Sequence, residues 1–211
     1  LKSRFKLMRG DRLVMEHCGL EVDQDLAAQT TKLHQSDFGR RMLRKYDPDD
    51  DPELQKTPMR VKATALVPWE GSATERDTFD YMMFMGDLVW LTKTNPSLVY
   101  ATLDLAQLVK CPGPDHVAAA HRLLGYIRGD MDGGLTFHGK DSVLNQCSPH
   151  RHLLIGSCDA GFDHEGRKAV SGATISMNGA AIAVVARRQS TTSQQTAGAE
   201  VRRRPRRPRP R

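Results

Sequence analysis

Two hydrophobic spacings alternate along the chain, and each predicts a different kind of element. Near the amino end, the pattern predicts a strand around Leu13–Val22 and then a helix over about Ser36–Tyr46. Three more helices are predicted in the middle of the chain, over about Glu75–Thr92, Asn95–Val109 and Asp115–Gly129. Asn95, followed by Pro96, and Asp115 are typical residues for starting a helix.

From residue 153 the alternation of apolar and polar residues returns and predicts a sheet. The predicted strands are Leu153–Asp159, Val170–Met177 and Ala180–Arg187. Asn178 and Gly179 separate the last two, and this dipeptide is typical of a tight hairpin turn. A further helix is predicted to begin near Thr192. The sequence therefore indicates an α/β or α+β fold with an antiparallel sheet followed by a helix.

Composition narrows the class of protein. No apolar run approaches 18 residues, which argues against a membrane-spanning segment. The formal net charge is +6, but residues 202–211 hold seven arginines, so the rest of the chain is close to neutral. We expect this Arg/Pro end to be extended and disordered. Nucleic-acid binding would therefore depend on this Arg/Pro end, or on a local patch such as Arg187 with Arg188.

Smaller features point to an intracellular fragment. The cysteines at positions 18, 111, 147 and 158 form no Cys-x-x-Cys pair, which favours reduced thiols. No leader precedes the predicted elements, and Leu1 is not an initiator methionine, so we expect a fragment boundary there. The acidic run Asp49–Asp51 lies between prolines, and we interpret it as a solvated linker rather than a metal site.

The stretch from residue 153 to residue 200 carries the most specific signal. It reads Leu-Leu-Ile-Gly-Ser-Cys-Asp159, then Gly166-Arg-Lys-Ala-Val-Ser-Gly172, and then Thr192-Ser-Gln-Gln-Thr-Ala-Gly-Ala-Glu200. The order of strand, hairpin, strand and helix start resembles the beginning of the ribonuclease H domain of copia-type retrotransposon Pol polyproteins.

Upstream segments resemble the same family, so that about 200 of the 211 residues are covered. The segments include Leu1–Met8, Cys18–Val22, Leu33–Tyr46, Thr57–Met59, Tyr81–Leu91, Asn95–Ala101 and His121–Gly129. The resemblance implies four parts: a remnant of the reverse-transcriptase thumb and connection, a helical connection, the first half of a ribonuclease H-like domain, and the Arg/Pro tail. Their predicted ranges are 1–62, 63–149, 150–201 and 202–211.

The resemblance also implies the chemistry of the site. Ribonuclease H cleaves the RNA of an RNA–DNA hybrid with two Mg²⁺ ions about 4 Å apart, which several carboxylates must hold. Asp159 matches the first of these carboxylates, and we expect it to be buried at the end of its strand. Gly198 stands where the family has a glutamate, and Glu200 would lie on another side of that helix. We therefore expect no productive Mg²⁺ binding by this chain.

The family's role is to copy element RNA into DNA and to degrade the template. Its paired polymerase aspartates lie upstream of the segment matched by Leu1, so the resemblance implies a catalytically incomplete chain. Two alternatives remain open. The chain could be a non-catalytic nucleic-acid-binding protein that uses its arginine tail with Lys168, Arg187 and Arg188, or a decayed genomic copy without a selected function.

Overall fold

The computed structural model describes residues 4–7, 12–47, 54–59, 66, 69–71, 79–139, 152–161 and 170–189. Within them the fold is mixed, with antiparallel strands in two sheets and four α-helices. The strands are β1 (Arg4–Leu7), β2 (Arg12–His17), β3 (Leu20–Asp25), β4 (Thr30–His34), β5 (Leu135–His138), β6 (Leu154–Gly161), β7 (Val170–Met177) and β8 (Ala180–Arg188). The helices are α1 (Ser36–Tyr46), α2 (Tyr81–Leu91), α3 (Val99–Ala106) and α4 (Pro114–Gly129), and a 3₁₀ turn, Pro96–Leu98, precedes α3.

The first sheet has five antiparallel strands in the order β1-β2-β3-β4-β5. The single strand predicted over Leu13–Val22 is wrong, because the chain reverses at Cys18 and Gly19 and forms a β2–β3 hairpin. Both turn residues have positive φ, 54° and 78°. Glycine adopts this conformation readily, but a cysteine before it is a weak turn signal. Strand β5 follows the helices in sequence and completes the sheet that precedes them.

The second sheet is a three-stranded antiparallel meander in the order β6-β7-β8. Asn178 and Gly179 form the β7–β8 turn with φ of 50° and 92°, which confirms the predicted hairpin. Strand β6 continues to Gly161, two residues beyond the predicted end. The helix predicted near Thr192 lies outside the described residues.

The hydrophobic core lies between the helices. Phe84, Leu88, Leu98, Leu123 and Leu124 have no exposed surface, and Met42, Leu43 and Tyr46 of α1 pack with them. The prediction of α1 is confirmed at both ends. No helix among the described residues is long and apolar enough to cross a membrane.

Three helices begin at other residues than the sequence pattern indicated. The helix predicted over Asn95–Val109 opens with the 3₁₀ turn, so α3 itself runs from Val99 to Ala106. Helix α2 starts at Tyr81, where the carboxylate of Asp80 accepts a hydrogen bond from the Met83 amide at 3.0 Å. Helix α4 starts at Pro114 instead of after an Asp115 cap, and the Gly113 amide donates to Nδ1 of His116 at 2.7 Å. Local capping hydrogen bonds, which the spacing of apolar residues does not show, determine where α2 and α4 begin.

Polar contacts attach the second sheet to the rest of the molecule. The amide of His138 in β5 donates to the carbonyl of Asn178 in the β7–β8 turn at 2.9 Å. Arg188 of β8 pairs with Asp104 of α3 at 3.3 Å. The β6–β7–β8 sheet is therefore held beside β5 and α3, and the buried apolar side chains in its described strands are Ala160 and Ala180.

Replacing Phe84, which is fully buried, tests the position of the core. We expect Phe84→Ala to lower the free energy of unfolding by about 3–5 kcal/mol, because it removes a ring from the centre of the cluster. Met82 on the same helix is 69% exposed, and Met82→Ala should change stability by less than about 0.5 kcal/mol. Urea denaturation measures both values. Equal losses would contradict the orientation of α2.

A second prediction concerns Tyr46, whose hydroxyl donates to the carboxylate of Asp87 in α2 at 2.7 Å. Burial raises the pKa of Tyr46 to about 12, and the nearby Asp87 carboxylate also raises it. The folded chain therefore holds this proton more tightly than the unfolded chain, for which the pKa is about 10. The resulting stability is present below about pH 10 and is lost as the pH rises towards 12.

Ultraviolet titration of tyrosinate should show a transition near pH 12 that disappears in Tyr46→Phe. Stability measured between pH 9 and pH 12 should also depend less on pH in this variant. A transition unchanged by Tyr46→Phe would contradict the assignment.

Candidate functional site

Asp159, the carboxylate that the sequence indicated for metal binding, lies in β6, the edge strand of the second sheet. Its side chain is exposed, so the expectation that it is buried is wrong. Residues 154–159 are all exposed, and β6 pairs with β7 alone among the described strands. The Oδ1 atom of Asp159 accepts a hydrogen bond from the Ala160 amide at 2.8 Å.

The described residues around Asp159 do not fit a magnesium site. No group of three or more His, Cys, Asp or Glu side chains suited to a metal occurs in the part of the chain that the structure describes. Since Mg²⁺ needs several oxygen ligands, Asp159 alone could not hold it in place. Gly198, the position expected for the glutamate, lies outside the described residues, as does Glu200.

The two arginines indicated for nucleic-acid binding point to opposite faces of the second sheet. In the strand pairing, Asp159 lies opposite Gly172, and Gly172 lies opposite Ala186. Ala186 and Arg188 are two residues apart on β8 and share one face, so Asp159 lies on the same face of the sheet as Arg188. Arg187 is exposed on the other face. The guanidinium of Arg188 is engaged by Asp104, as described above. The two cations therefore do not form one patch, and Lys168 lies outside the described residues.

A second polar cluster, which the sequence analysis missed, lies where β4 runs into α1. His34 is 7% exposed, and its Nδ1 lies 2.7 Å from the hydroxyl of Ser36. The Ser36 hydroxyl donates to the carbonyl of Met131 at 3.0 Å, so it joins the start of α1 to the turn that follows α4. Because a carbonyl only accepts, the ring must donate through Nδ1.

Two carboxylates of β3 face the same histidine. The Nε2 atom of His34 lies 3.2 Å from Oδ2 of Asp23, an ion-pair distance without hydrogen-bond geometry. Glu21 lies 3.9 Å from Nδ1 through one oxygen, and its other oxygen accepts from the Asp37 amide in the first turn of α1 at 2.8 Å. The cluster thus joins β3, β4 and α1 and supplies a capping group for the helix.

Although serine, histidine and aspartate lie together, the arrangement does not suit nucleophilic catalysis. Ser36 is 7% exposed and already donates its proton to a backbone carbonyl, so the ring nitrogen cannot activate it. The adjoining cavity, lined by Ser36, Gln35, Asn95 and Asp130 among others, measures about 20 Å³. That volume suits a water-sized molecule and not a substrate. We therefore assign the cluster a structural role.

The signal for this cluster was present but depended on the missed hairpin. Glu21 and Asp23 are two residues apart and so share one face of β3, and the β3–β4 pairing sets Glu21 opposite His34. Because the turns at residues 18–19 and 26–29 were not predicted, the sequence alone did not show that either carboxylate lies beside the histidine.

Comparisons with protein-family models, with curated proteins and with solved structures found no match for this chain.

Removing the Ser36 hydroxyl should destabilise the fold. Ser36→Ala leaves Nδ1 of His34 and the Met131 carbonyl without this partner, and we expect a loss of about 1–3 kcal/mol. Ser157, exposed in β6, provides the matched control, and Ser157→Ala should stay within about 0.5 kcal/mol. Chemical denaturation distinguishes them, and equal values would show that the buried hydrogen bonds do not contribute.

Proposed function

We propose that the chain is part of a copia-type retrotransposon Pol polyprotein, covering the end of the reverse transcriptase, a helical connection and the first part of a ribonuclease H-like domain. The family's role is RNA-templated DNA synthesis and cleavage of the RNA–DNA hybrid. The chain by itself is catalytically incomplete in this proposal. Its partner would be nucleic acid, together with the rest of the polyprotein, inside the cell.

The observation that carries the proposal is the place of Asp159. It lies on the first of three consecutive antiparallel strands, in the sequence context that resembles the start of a ribonuclease H domain. Further support comes from the order of elements upstream, where paired strands precede α1 and the helices α2 to α4 follow. The inactive form of the proposal rests on the sequence, in which Gly198 stands where the family has a glutamate.

Nucleic-acid affinity tests the proposal directly. The full chain should bind an RNA–DNA hybrid more tightly than a DNA duplex of the same sequence, and a variant with the seven arginines of 202–211 changed to glutamine should keep that preference. If this variant loses all binding, the arginine-rich end is the binding element, and the alternative of a non-catalytic binding protein replaces the proposal. Binding should also weaken as salt rises.

The coding DNA provides an independent test. The proposal expects the family's Tyr-Val-Asp-Asp hairpin in frame before the codon for Leu1, and the missing ribonuclease H carboxylates in some reading frame after Val201. A flanking sequence with neither feature would overturn it.

We expect no magnesium-dependent cleavage of a labelled hybrid by the full chain, because two Mg²⁺ ions need several converging carboxylates. Gel analysis of the labelled RNA strand with Mg²⁺ and with chelator measures this. The matched variant is Asp159→Asn, which preserves shape and removes the charge. Cleavage that requires Mg²⁺ and disappears in Asp159→Asn would contradict the expectation of an inactive chain.

A further inference from the structure

Arg122 of α4 is a half-buried cation with no acidic partner among the described residues. Four other arginines of the described part each pair with an aspartate: Arg12 with Asp25, Arg40 with Asp37, Arg128 with Asp47, and Arg188 with Asp104. Arg122 contacts neutral oxygens instead. Its charge is therefore not balanced by any carboxylate described around it.

The neutral oxygens belong to the segment 54–59. Nη1 of Arg122 donates to the side-chain oxygen of Gln55, and Nη2 donates to the hydroxyl of Thr57 at 3.1 Å and to its carbonyl at 3.4 Å. The Nε atom is buried and has no hydrogen-bond partner among the described residues. A guanidinium with an unused donor and no counter-ion is suited to an anion that offers several acceptor oxygens.

Thr57 is the residue that could carry such an anion. It is exposed, it lies in a segment without helix or strand, and Pro58 follows it directly. A residue before proline is biased to an extended backbone, the form in which a kinase takes a substrate segment. The sequence holds one other hydroxyl residue followed by proline, Ser148 with Pro149, outside the described residues.

We infer that Thr57 is a phosphorylation site for an ATP-dependent, proline-directed protein kinase, and that Arg122 receives the phosphate. In the transfer, Oγ1 of Thr57 forms the new bond to the γ-phosphorus of ATP. The bond from that phosphorus to the bridging oxygen breaks, ADP leaves, and the hydroxyl proton passes to the general base of the kinase. The inference does not depend on the proposed retrotransposon role.

The position of Thr57 beside Arg122 explains why the phosphorylated form would be stabilised. Oγ1 already lies 3.1 Å from Nη2, so a phosphorus atom bonded to Oγ1 brings its oxygens within reach of the guanidinium. The phosphate adds a charge of about −1.5 to −2 and three strong acceptors. It gives up the hydrogen bond that the hydroxyl donates to the carbonyl of Met59 at 2.8 Å. Phosphorylation would therefore tie the segment 54–59 to α4 by a charged contact.

The first experiment exposes the folded full chain to ATP and a cyclin-dependent kinase and locates phosphate by mass spectrometry. We expect phosphate on Thr57, its loss in Pro58→Ala, and its retention in Arg122→Gln. Ser148→Ala is the matched control, since it removes the other hydroxyl–proline pair and should leave Thr57 labelled. No phosphate on Thr57 in the folded chain, when the urea-denatured chain is labelled there, would overturn the inference.

The second experiment tests the receptor. Phosphorylated and unmodified chains are melted, each with the native Arg122 and with the substitution Arg122→Gln. We expect modification to raise the melting midpoint by about 2–4 °C in the native chain and to leave it unchanged in the Arg122→Gln variant. An equal shift in both backgrounds would overturn the role of Arg122. Stabilisation of the unmodified chain by millimolar inorganic phosphate through Arg122, without kinase labelling of Thr57, would instead assign the site to a free anion.

Discussion

The packing of α1, α2 and α4 around Phe84, Leu88 and Leu124 is the constraint on which the other parts of the described structure depend. These side chains have no exposed surface, and their burial gives the helices a common core. The two sheets join this core through specific polar groups: the cluster around His34 for the first sheet and the pair of Arg188 with Asp104 for the second. Burial of apolar side chains holds the helices together, and polar contacts position the two sheets around them.

This division also explains the character of the candidate sites. Asp159 belongs to a strand that is exposed along most of its length, so its described surroundings are not the enclosed ones in which several carboxylates share metal ions. The cluster of His34, Ser36 and Asp23 is enclosed, but its hydrogen bonds are used to connect elements. Reactive side chains that lie close together are therefore not sufficient for catalysis or metal binding. They must also be accessible, and their hydrogen-bond donors must not already be in use.

Local signals made part of the fold predictable. The bounds of α1 followed from its helical spacing, and Asn178 with Gly179 marked the β7–β8 turn, because in both cases the determining interactions lie within a few residues. The β2–β3 hairpin was missed because its turn begins with a cysteine. The cluster around His34 was missed together with that hairpin, although Glu21 and His34 lie on consecutive paired strands. The exposure of Asp159 could not be predicted, since it depends on which distant elements cover its strand. The ribonuclease H interpretation stays a prediction.

The attachment of the second sheet has a consequence for the motions of the chain. Few apolar groups anchor β6, and its outer edge pairs with no strand among the described residues, so separating this strand costs less free energy than opening the helical cluster. The strand β6 can then separate in a local opening while α4 stays folded. The amide protons of β6 exchange with solvent long before those of the core helices do.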